Sequence, residues 1–223
     1  MTAHGSETSD EYRSLIIDCM RHGECEGPQG LRGQMDVELT CAGRSAMRAS
    51  AVHLPRPERL VCSPLKRCHT VATELAEQWA IECCIDSDLM EIHFGDWEGR
   101  ALGELARMEP EALTAFWQDP ARATPPGGEP LATFNSRVER AWQRCLTAPE
   151  SYQLIITHGG VIKTWLAQAL KMDMQHAMYL HRLEIAHASV VRLRVDLVPD
   201  EAPLVQLLFL GVPQAPMKLP DIV

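Results

Sequence analysis

Short apolar segments that alternate with helical patterns constrain the fold of this chain most strongly. Apolar runs at 15–20, 59–62 and 154–157 have the length and branched side chains of buried strands. Helical patterns follow at roughly 41–53, 65–79 and 161–171, and extended segments near 81–85, 188–196 and 203–210 add further strands. Strands that alternate with helices indicate a mainly parallel sheet covered on both faces. We therefore predict an α/β three-layer sandwich with a mixed, mostly parallel sheet.

The chain length fits one domain with a full core, because 223 residues lie within the usual size of a single domain. We assign this domain to residues 14–212, between a flexible polar lead at 1–13 and a loose tail at 213–223. Frequent Gly and Pro break the stretch 92–150 into short helices and loops. We interpret it as a helical insertion over the carboxyl ends of the strands.

Composition excludes several partners. The formal net charge of -9 argues against general binding to nucleic acid or to anionic membranes. No stretch approaches the roughly 18–20 apolar residues that span a bilayer, and the polar start lacks the apolar core of a signal peptide. The eight cysteines form no C-x-x-C pair. These features predict reduced thiols and a cytoplasmic location.

Polar clusters follow the strands at the points where the strands end. Arg21-His22 comes directly after the first strand, Ser63 to Arg67 follows the second, and Thr157-His158-Gly159 ends another. Glu91 follows the short strand near 81–85. Because the carboxyl ends of parallel strands meet at one edge of a sheet, we expect these clusters to share one crevice.

Two arginines, two histidines and one carboxylate suit phosphoryl transfer to a side chain. Arg21 and Arg67 can each hold phosphate oxygens with paired N–H groups. One histidine would attack phosphorus, while the other, if protonated, would neutralise charge in the transition state. Glu91 would donate a proton to the leaving group and later accept one from water. This route needs neither metal nor cofactor. Ser63 is the expected N-cap of the following helix, with proline at its first position.

Other chemistries find less support. The sequence has no Cys-x5-Arg, Gly-Lys-Ser/Thr, G-x-G-x-x-G, G-x-S-x-G or H-E-x-x-H pattern. His22-x-Glu24-x-Glu26 can in principle bind a metal, but its spacing alternates the faces of a strand and the segment is predicted to be a loop. His181 and His187 belong to no motif and are expected to be surface or packing residues, as is the loop residue Glu98.

The chain resembles the histidine phosphatase superfamily, the phosphoglycerate-mutase-like family. Arg21-His22-Gly23-Glu24 is similar to its RHGE motif, and the segments 62–67, 89–99 and 157–160 are similar to three further motifs in the same order. The resemblance implies that His22 is the phosphorylated nucleophile and Glu91 the proton donor. It implies a phosphate pocket formed by Arg21, Arg67, His158 and Gly159. Less specifically, it places Gln34, Asp36 and Ser63 on the substrate side.

Within this family, the segments 94–99, 125–129 and 137–138 look most like the α-ribazole phosphatase branch. The resemblance thus implies a metal-independent phosphomonoesterase acting on α-ribazole 5′-phosphate or a similar small phosphorylated metabolite. Cys25 replaces the usual threonine after Glu24, which bears on the substrate. A broad-specificity or sugar-phosphate phosphatase, a phosphoglycerate mutase and a non-catalytic phospho-ligand-binding module stay open as alternatives. Many members of the family form dimers, so a homodimer is compatible with the resemblance.

Overall fold

One six-stranded sheet organises the computed structural model, which describes residues 12–27 and 30–220. The strands are β1 Arg13–Arg21, β2 Arg59–Cys62, β3 Cys83–Ile85, β4 Tyr152–Thr157, β5 Val190–Leu197 and β6 Leu204–Gly211. Their order is β3-β2-β4-β1-β5-β6. The first four strands in this order pair in parallel, and β5 and β6 pair antiparallel. The predicted mixed, mostly parallel sheet is therefore confirmed.

Helices cover both faces of this sheet. The helices are α1 Cys41–Val52, α2 Lys66–Trp79, α3 Leu102–Met108, α4 Pro110–Gln118, α5 Leu131–Thr147, α6 Gly159–Ala169 and α7 Tyr179–Arg182. Side chains of α1 and α2 pack with Met20 and Leu154 on one face. Side chains of α5 and α6 pack with Ile17 and Ile155 on the other. Alternate residues of β1 and β4 thus point into two cores, as the two-residue period of a strand requires. The three-layer sandwich is confirmed.

The predicted insertion at 92–150 is divided by the structure into two parts. Trp97, Leu105, Leu113 and Phe116 form a small core of their own, so this part is a separate helical cap. Helix α5 is different because its apolar face packs against the main core beside the sheet. Assigning 131–147 to the insertion was therefore wrong. The error arose because a helix that covers a sheet has the same 3.6-residue pattern wherever it lies.

The two ends of the domain are better attached than the sequence indicated. The lead at 1–13 lies largely outside the described residues, but Arg13 belongs to β1 and Tyr12 donates a hydrogen bond to Asp196. In the tail, Met217 donates its N–H to the carbonyl of His53 at 2.7 Å and packs beside the core. Residues 213–220 are thus not simply a loose tail.

Helix α2 begins later than predicted. Its N-cap is Leu65 instead of Ser63, and its first N–H, that of Lys66, is bound by the Asp36 carboxylate at 2.8 Å. The reason is that Ser63 is engaged elsewhere, while Asp36 supplies the acceptor that the free helix end needs. Within the described part of the chain, no helix is long and apolar enough to cross a membrane.

Candidate active site

His22 lies just beyond β1, where its ring is fixed by the backbone. Its N–H donates to Thr157 O at 3.0 Å, and its Nδ1 lies 2.8 Å from Gly23 O. A carbonyl only accepts, so Nδ1 carries the proton and Nε2 keeps its lone pair. A Cβ on Gly23 would lie 2.2 Å from Gly43 O, so only glycine allows this close approach of the loop to α1. The loop thereby fixes the ring of His22 and leaves Nε2 with its lone pair available.

The electrostatic surroundings keep His22 neutral. Burial lowers the pKa of His22 well below its usual value, and the positive charges of Arg67 and Arg21 lower it further. A protonated imidazole cannot attack phosphorus, because its lone pair is used. The two arginines that would hold a phosphate therefore also preserve the nucleophile at neutral pH.

Arg21 provides an unfilled donor beside His22. One of its terminal nitrogens donates to Ile185 O, while its Nε is buried and has no hydrogen-bond partner among the described residues. A Cβ on Gly159, the first residue of α6, would lie 3.5 Å from this Nε. The positive end of the helix dipole thus adjoins the guanidinium. A buried donor without an acceptor is costly, and an anion at this point would satisfy it.

Arg67, His158 and Ser63 form a buried chain of hydrogen bonds. Arg67 Nε donates to His158 Nδ1 at 3.2 Å, and His158 Nε2 lies 2.7 Å from Ser63 Oγ. Because Nδ1 accepts, Nε2 carries the proton and donates a hydrogen bond to Ser63 Oγ. Burial and the charge of Arg67 lower the pKa of His158 well below its usual value. The ring of His158 is therefore neutral, in contrast to the protonated form considered for the second histidine.

Glu91 approaches the same place from the segment after β3. Its Oε2 accepts the N–H of Gly160 at 3.0 Å, and its Oε1 accepts that of Ile92. A Cβ on Gly160 would lie 2.2 Å from Oε1, so glycine is required for this contact. Its main-chain carbonyl accepts from Arg137, which also pairs with Glu129. Hydrogen bonds to both carboxyl oxygens and to the main-chain carbonyl consequently fix the position of Glu91.

One cavity joins these groups. Its volume is about 250 Å³, and Arg21, His22, Arg67, Glu91 and Gly159 line it as the sequence predicted. His158 lies just behind the wall, with its ring centroid 5.3 Å from that of His22. The sequence-predicted clusters thus converge at the carboxyl edge of the parallel strands. Within residues 12–27 and 30–220, no group of three or more His, Cys, Asp or Glu side chains is arranged to hold a metal ion.

The three residues predicted to face the substrate do not line this cavity. Gln34 Nε2 donates to Glu91 O at 3.2 Å, Asp36 binds the first N–H of α2, and Ser63 bonds to His158. The structure therefore gives Gln34, Asp36 and Ser63 supporting positions behind the site. Glu98 is likewise no free loop residue, because its carboxylate accepts the N–H groups of Gln34 and Phe94.

Several cavity residues escaped the sequence analysis. His187 lies 5.5 Å from His22 between ring centroids and belongs to the lining, as do Lys163, His181, Phe116 and Trp117. Burial, Arg21 and Arg32 lower the pKa of His187 to about 4. Lys163 carried a usable signal, since it lies one helical turn after Gly159 and must share its face. His181 and His187 lie in irregular or very short segments, where no period marks a face.

One edge of the parallel part of the sheet thus brings together a neutral histidine, an arginine whose Nε has no partner among the described residues, and a carboxyl group, which are the side chains that phosphoryl transfer to histidine would require. The model of the histidine phosphatase superfamily (branch 1) matches residues 17–199. The chain belongs to this family, and the resemblance drawn from its motifs is confirmed.

Individual relatives and solved structures are consistent with this family assignment. The chain is 32% identical over 183 residues to a bifunctional protein of Mycobacterium tuberculosis, covering 79% of this chain but only 50% of that protein, so it spans about half the length of that relative. It is 31% identical over 176 residues to the glucosyl-3-phosphoglycerate phosphatase of Mycobacterium tuberculosis, covering 73% and 77% of the two chains.

The adenosylcobalamin/α-ribazole phosphatase of Salmonella typhimurium is 34% identical over 160 residues, covering 69% of this chain and 78% of that one. The native structure of a mycobacterial glucosyl-3-phosphoglycerate phosphatase superposes with a TM-score of 0.76 at 26% identity, covering 91% of this chain and all (100%) of that one. These comparisons support the fold over nearly the whole domain.

Proposed function

We propose that this protein is a metal-independent phosphomonoesterase that works through a phosphohistidine at His22. The observation that carries the proposal is the cavity that combines the free Nε2 of His22 with the buried, unpartnered Nε of Arg21. Arg67 and Glu91 line the same cavity. A nucleophile, an anion site and a proton donor are the three parts that this reaction requires.

The reaction has two steps. In the first, His22 Nε2 forms a bond to phosphorus, the bond from phosphorus to the leaving oxygen breaks, and Glu91 gives its proton to that oxygen. In the second, water attacks the phosphohistidine, Glu91 takes a proton from the water, and the P–N bond breaks to release inorganic phosphate. Arg21 and Arg67 balance the charge of the phosphoryl oxygens in both steps.

Two substrates deserve the first tests. The sequence resemblance favours α-ribazole 5′-phosphate, and Phe116 and Trp117 offer aromatic faces against which its ring system can pack. Similarity to glucosyl-3-phosphoglycerate phosphatases supplies a phosphorylated sugar acid as the second candidate. The cation Lys163 in the cavity wall favours this second candidate. A cavity of about 250 Å³ suits small metabolites in general.

The direct experiment measures inorganic phosphate release in the presence of EDTA. The panel contains α-ribazole 5′-phosphate, glucosyl-3-phosphoglycerate, 3-phosphoglycerate, fructose 2,6-bisphosphate and p-nitrophenyl phosphate. We expect release that EDTA does not diminish, and His22→Ala should abolish it. His69→Gln is the matched control, because His69 lies on α2 and contacts Thr73 instead of the cavity. Turnover retained by His22→Ala would remove the nucleophile assignment.

The alternatives predict different results from the same panel. An isomerised phosphate ester from 3-phosphoglycerate, without net phosphate release, would indicate a mutase. Binding of inorganic phosphate without any turnover by the folded protein would indicate a phospho-ligand-binding module. We also propose a cytoplasmic location, which the eight free cysteines support.

A further inference from the structure

Lys163 places a positive charge in the cavity that phosphoryl transfer does not use. It lies on α6 and lines the same cavity as Arg21 and His22. Among the described residues, its Nζ donates one hydrogen bond, to Leu180 O at 2.6 Å, and pairs with no carboxylate within ion-pair distance. Lys163 is half-buried, and this burial lowers its pKa, although the nearby charge of Glu91 opposes the shift. A cation in this condition gains strongly from an anionic partner.

His181 provides a second unfilled polar group beside Lys163. Its Nε2 is buried and has no hydrogen-bond partner within the described part of the chain. His181 follows Leu180, whose carbonyl accepts from Lys163, and both side chains line the same cavity, so the two groups are neighbours. Burial and the charge of Lys163 lower the pKa of His181. The ring stands edge-on to Trp117, with 4.4 Å between the centroids, which holds it in the cavity wall.

The balance of charges in the cavity points to the missing partner. Arg21, Arg32, Arg67 and Lys163 are cationic, whereas Glu91 is the one carboxylate of the lining. A phosphoryl dianion accounts for Arg21 and Arg67. Arg32 donates to the main-chain oxygens of its own loop. Lys163 is the remaining cation without a proposed partner, and beside it His181 Nε2 has no hydrogen-bond partner among the described residues.

We propose that Lys163 and His181 form a second anion subsite, so that the substrate is a phosphomonoester carrying another acidic group, a carboxylate or a second phosphate. This inference rests on the proposed phosphatase chemistry and refines its substrate class. A substrate with a neutral organic portion would leave both groups without a partner.

A pair of substrates that differ in one group tests the subsite. In 3-phosphoglycerate a carboxylate replaces the terminal CH₂OH of glycerol 3-phosphate. We expect the wild-type protein to favour 3-phosphoglycerate by about tenfold or more in kcat/KM, mostly through KM, since one charge-assisted hydrogen bond contributes about that much. Lys163→Met should abolish this preference, and Lys163→Arg should restore most of it.

Controls separate a specific effect from a general one. Lys171→Met removes the same charge just after the end of α6, at an exposed residue outside the cavity lining, and should leave the substrate preference unchanged. His181→Phe keeps an aromatic ring against Trp117 without the ring nitrogens, and should reduce the preference. An equal loss on both substrates in Lys163→Met would show that Lys163 only ties α6 to Leu180, and would overturn the proposal. Equal kcat/KM of the wild type for the two substrates would also overturn it.

The inference can fail separately from the proposed function. Should both compounds be turned over too slowly, their inhibition constants against p-nitrophenyl phosphate hydrolysis replace the rates, with the same expected ratio. If p-nitrophenyl phosphate is not hydrolysed either, the phosphatase proposal is wrong. Calorimetric binding of the two compounds then still decides whether the second subsite exists.

Discussion

Replacing Arg137 by Met tests how Glu91, the proposed acid/base residue, is held. All five N–H groups of Arg137 are used: two bind the Glu129 carboxylate at 2.8 Å, and three bind the carbonyls of Asp88, Met90 and Glu91. The two side chains are only 9% and 11% exposed. Met preserves the apolar volume but removes every donor. The variant therefore leaves a buried carboxylate with the single N–H of His93 as a partner.

The expected loss of unfolding free energy is large. Removing one partner of a buried ion pair typically costs about 3–5 kcal/mol, and the three carbonyls add to this. Urea unfolding followed by circular dichroism at pH 7 measures the loss. Arg140→Met is the matched control on the same helix, because Arg140 is 60% exposed and pairs with Asp88 at the surface. We expect the control to lose less than about 1 kcal/mol.

A double variant separates the cost of the unpaired Glu129 carboxylate from the other losses caused by Arg137→Met. Arg137→Met combined with Glu129→Met buries no unpaired carboxylate, so it should be more stable than Arg137→Met alone by at least about 1 kcal/mol. A loss in Arg137→Met no greater than that of the surface control would refute the reasoning. It would mean that water reaches Glu129 and the carbonyls, and that the position of Glu91 does not depend on this pair.

Three further predictions follow from particular contacts. Gly160→Ala should lower kcat by about a hundredfold, because its Cβ would stand 2.2 Å from Glu91 Oε1; an unchanged rate of phosphate release would contradict this. The pKa values of His22 and His158 are lowered in the folded state, so unfolding takes up protons below pH 6.5. The unfolding free energy should therefore decrease as the pH is lowered below 6.5, by up to about 1.4 kcal/mol per pH unit for each histidine, and His22→Asn should remove the contribution of one histidine to that slope. Asp36→Ala should cost about 1 kcal/mol in urea unfolding but leave p-nitrophenyl phosphate hydrolysis within about twofold, as expected of a helix cap; a selective loss of activity would return Asp36 to the substrate side.

Periodic patterns predicted the fold well. The patterns that predicted the strands at 59–62 and 154–157 and the helix at roughly 41–53 each lie within a few residues, and the structure confirms these three elements. The layer to which α5 belongs could not be predicted, since a helical period shows which face is apolar but not what covers it. The prediction that Ser63 caps α2 failed for a related reason. Its first N–H is bound by Asp36 from a distant loop, and no local motif encodes such a partner.

The phosphate end of the site was predictable because it is built from strand ends. Arg21 is the last residue of β1 and His22 follows it directly, and the parallel register brings Arg21 opposite Thr157. The support behind Glu91 was visible only as part of a resemblance: Glu129 and Arg137 lie in two of the segments that look like the α-ribazole phosphatase branch. The structure shows that they form one buried ion pair. The side of the cavity formed by α7 and the helical cap could not be predicted. It depends on contacts between irregular or very short segments, which have no periodic sequence pattern.

The hydrogen bonds of His158 indicate which residues would balance the charge of the phosphoryl group in the proposed reaction. Its Nδ1 accepts from Arg67 and its Nε2 bonds to Ser63, so a second proton on the ring would break the bond from Arg67. That bond keeps the guanidinium of Arg67 in place, together with the carbonyls of Gly33 and Met35. Two of the five donors of Arg67 stay free for a phosphate. In the proposed reaction, charge on the transferred group would therefore be balanced by Arg21 and Arg67, while His158 would orient Arg67. This role needs a neutral ring, which is the state that burial and the neighbouring arginines impose.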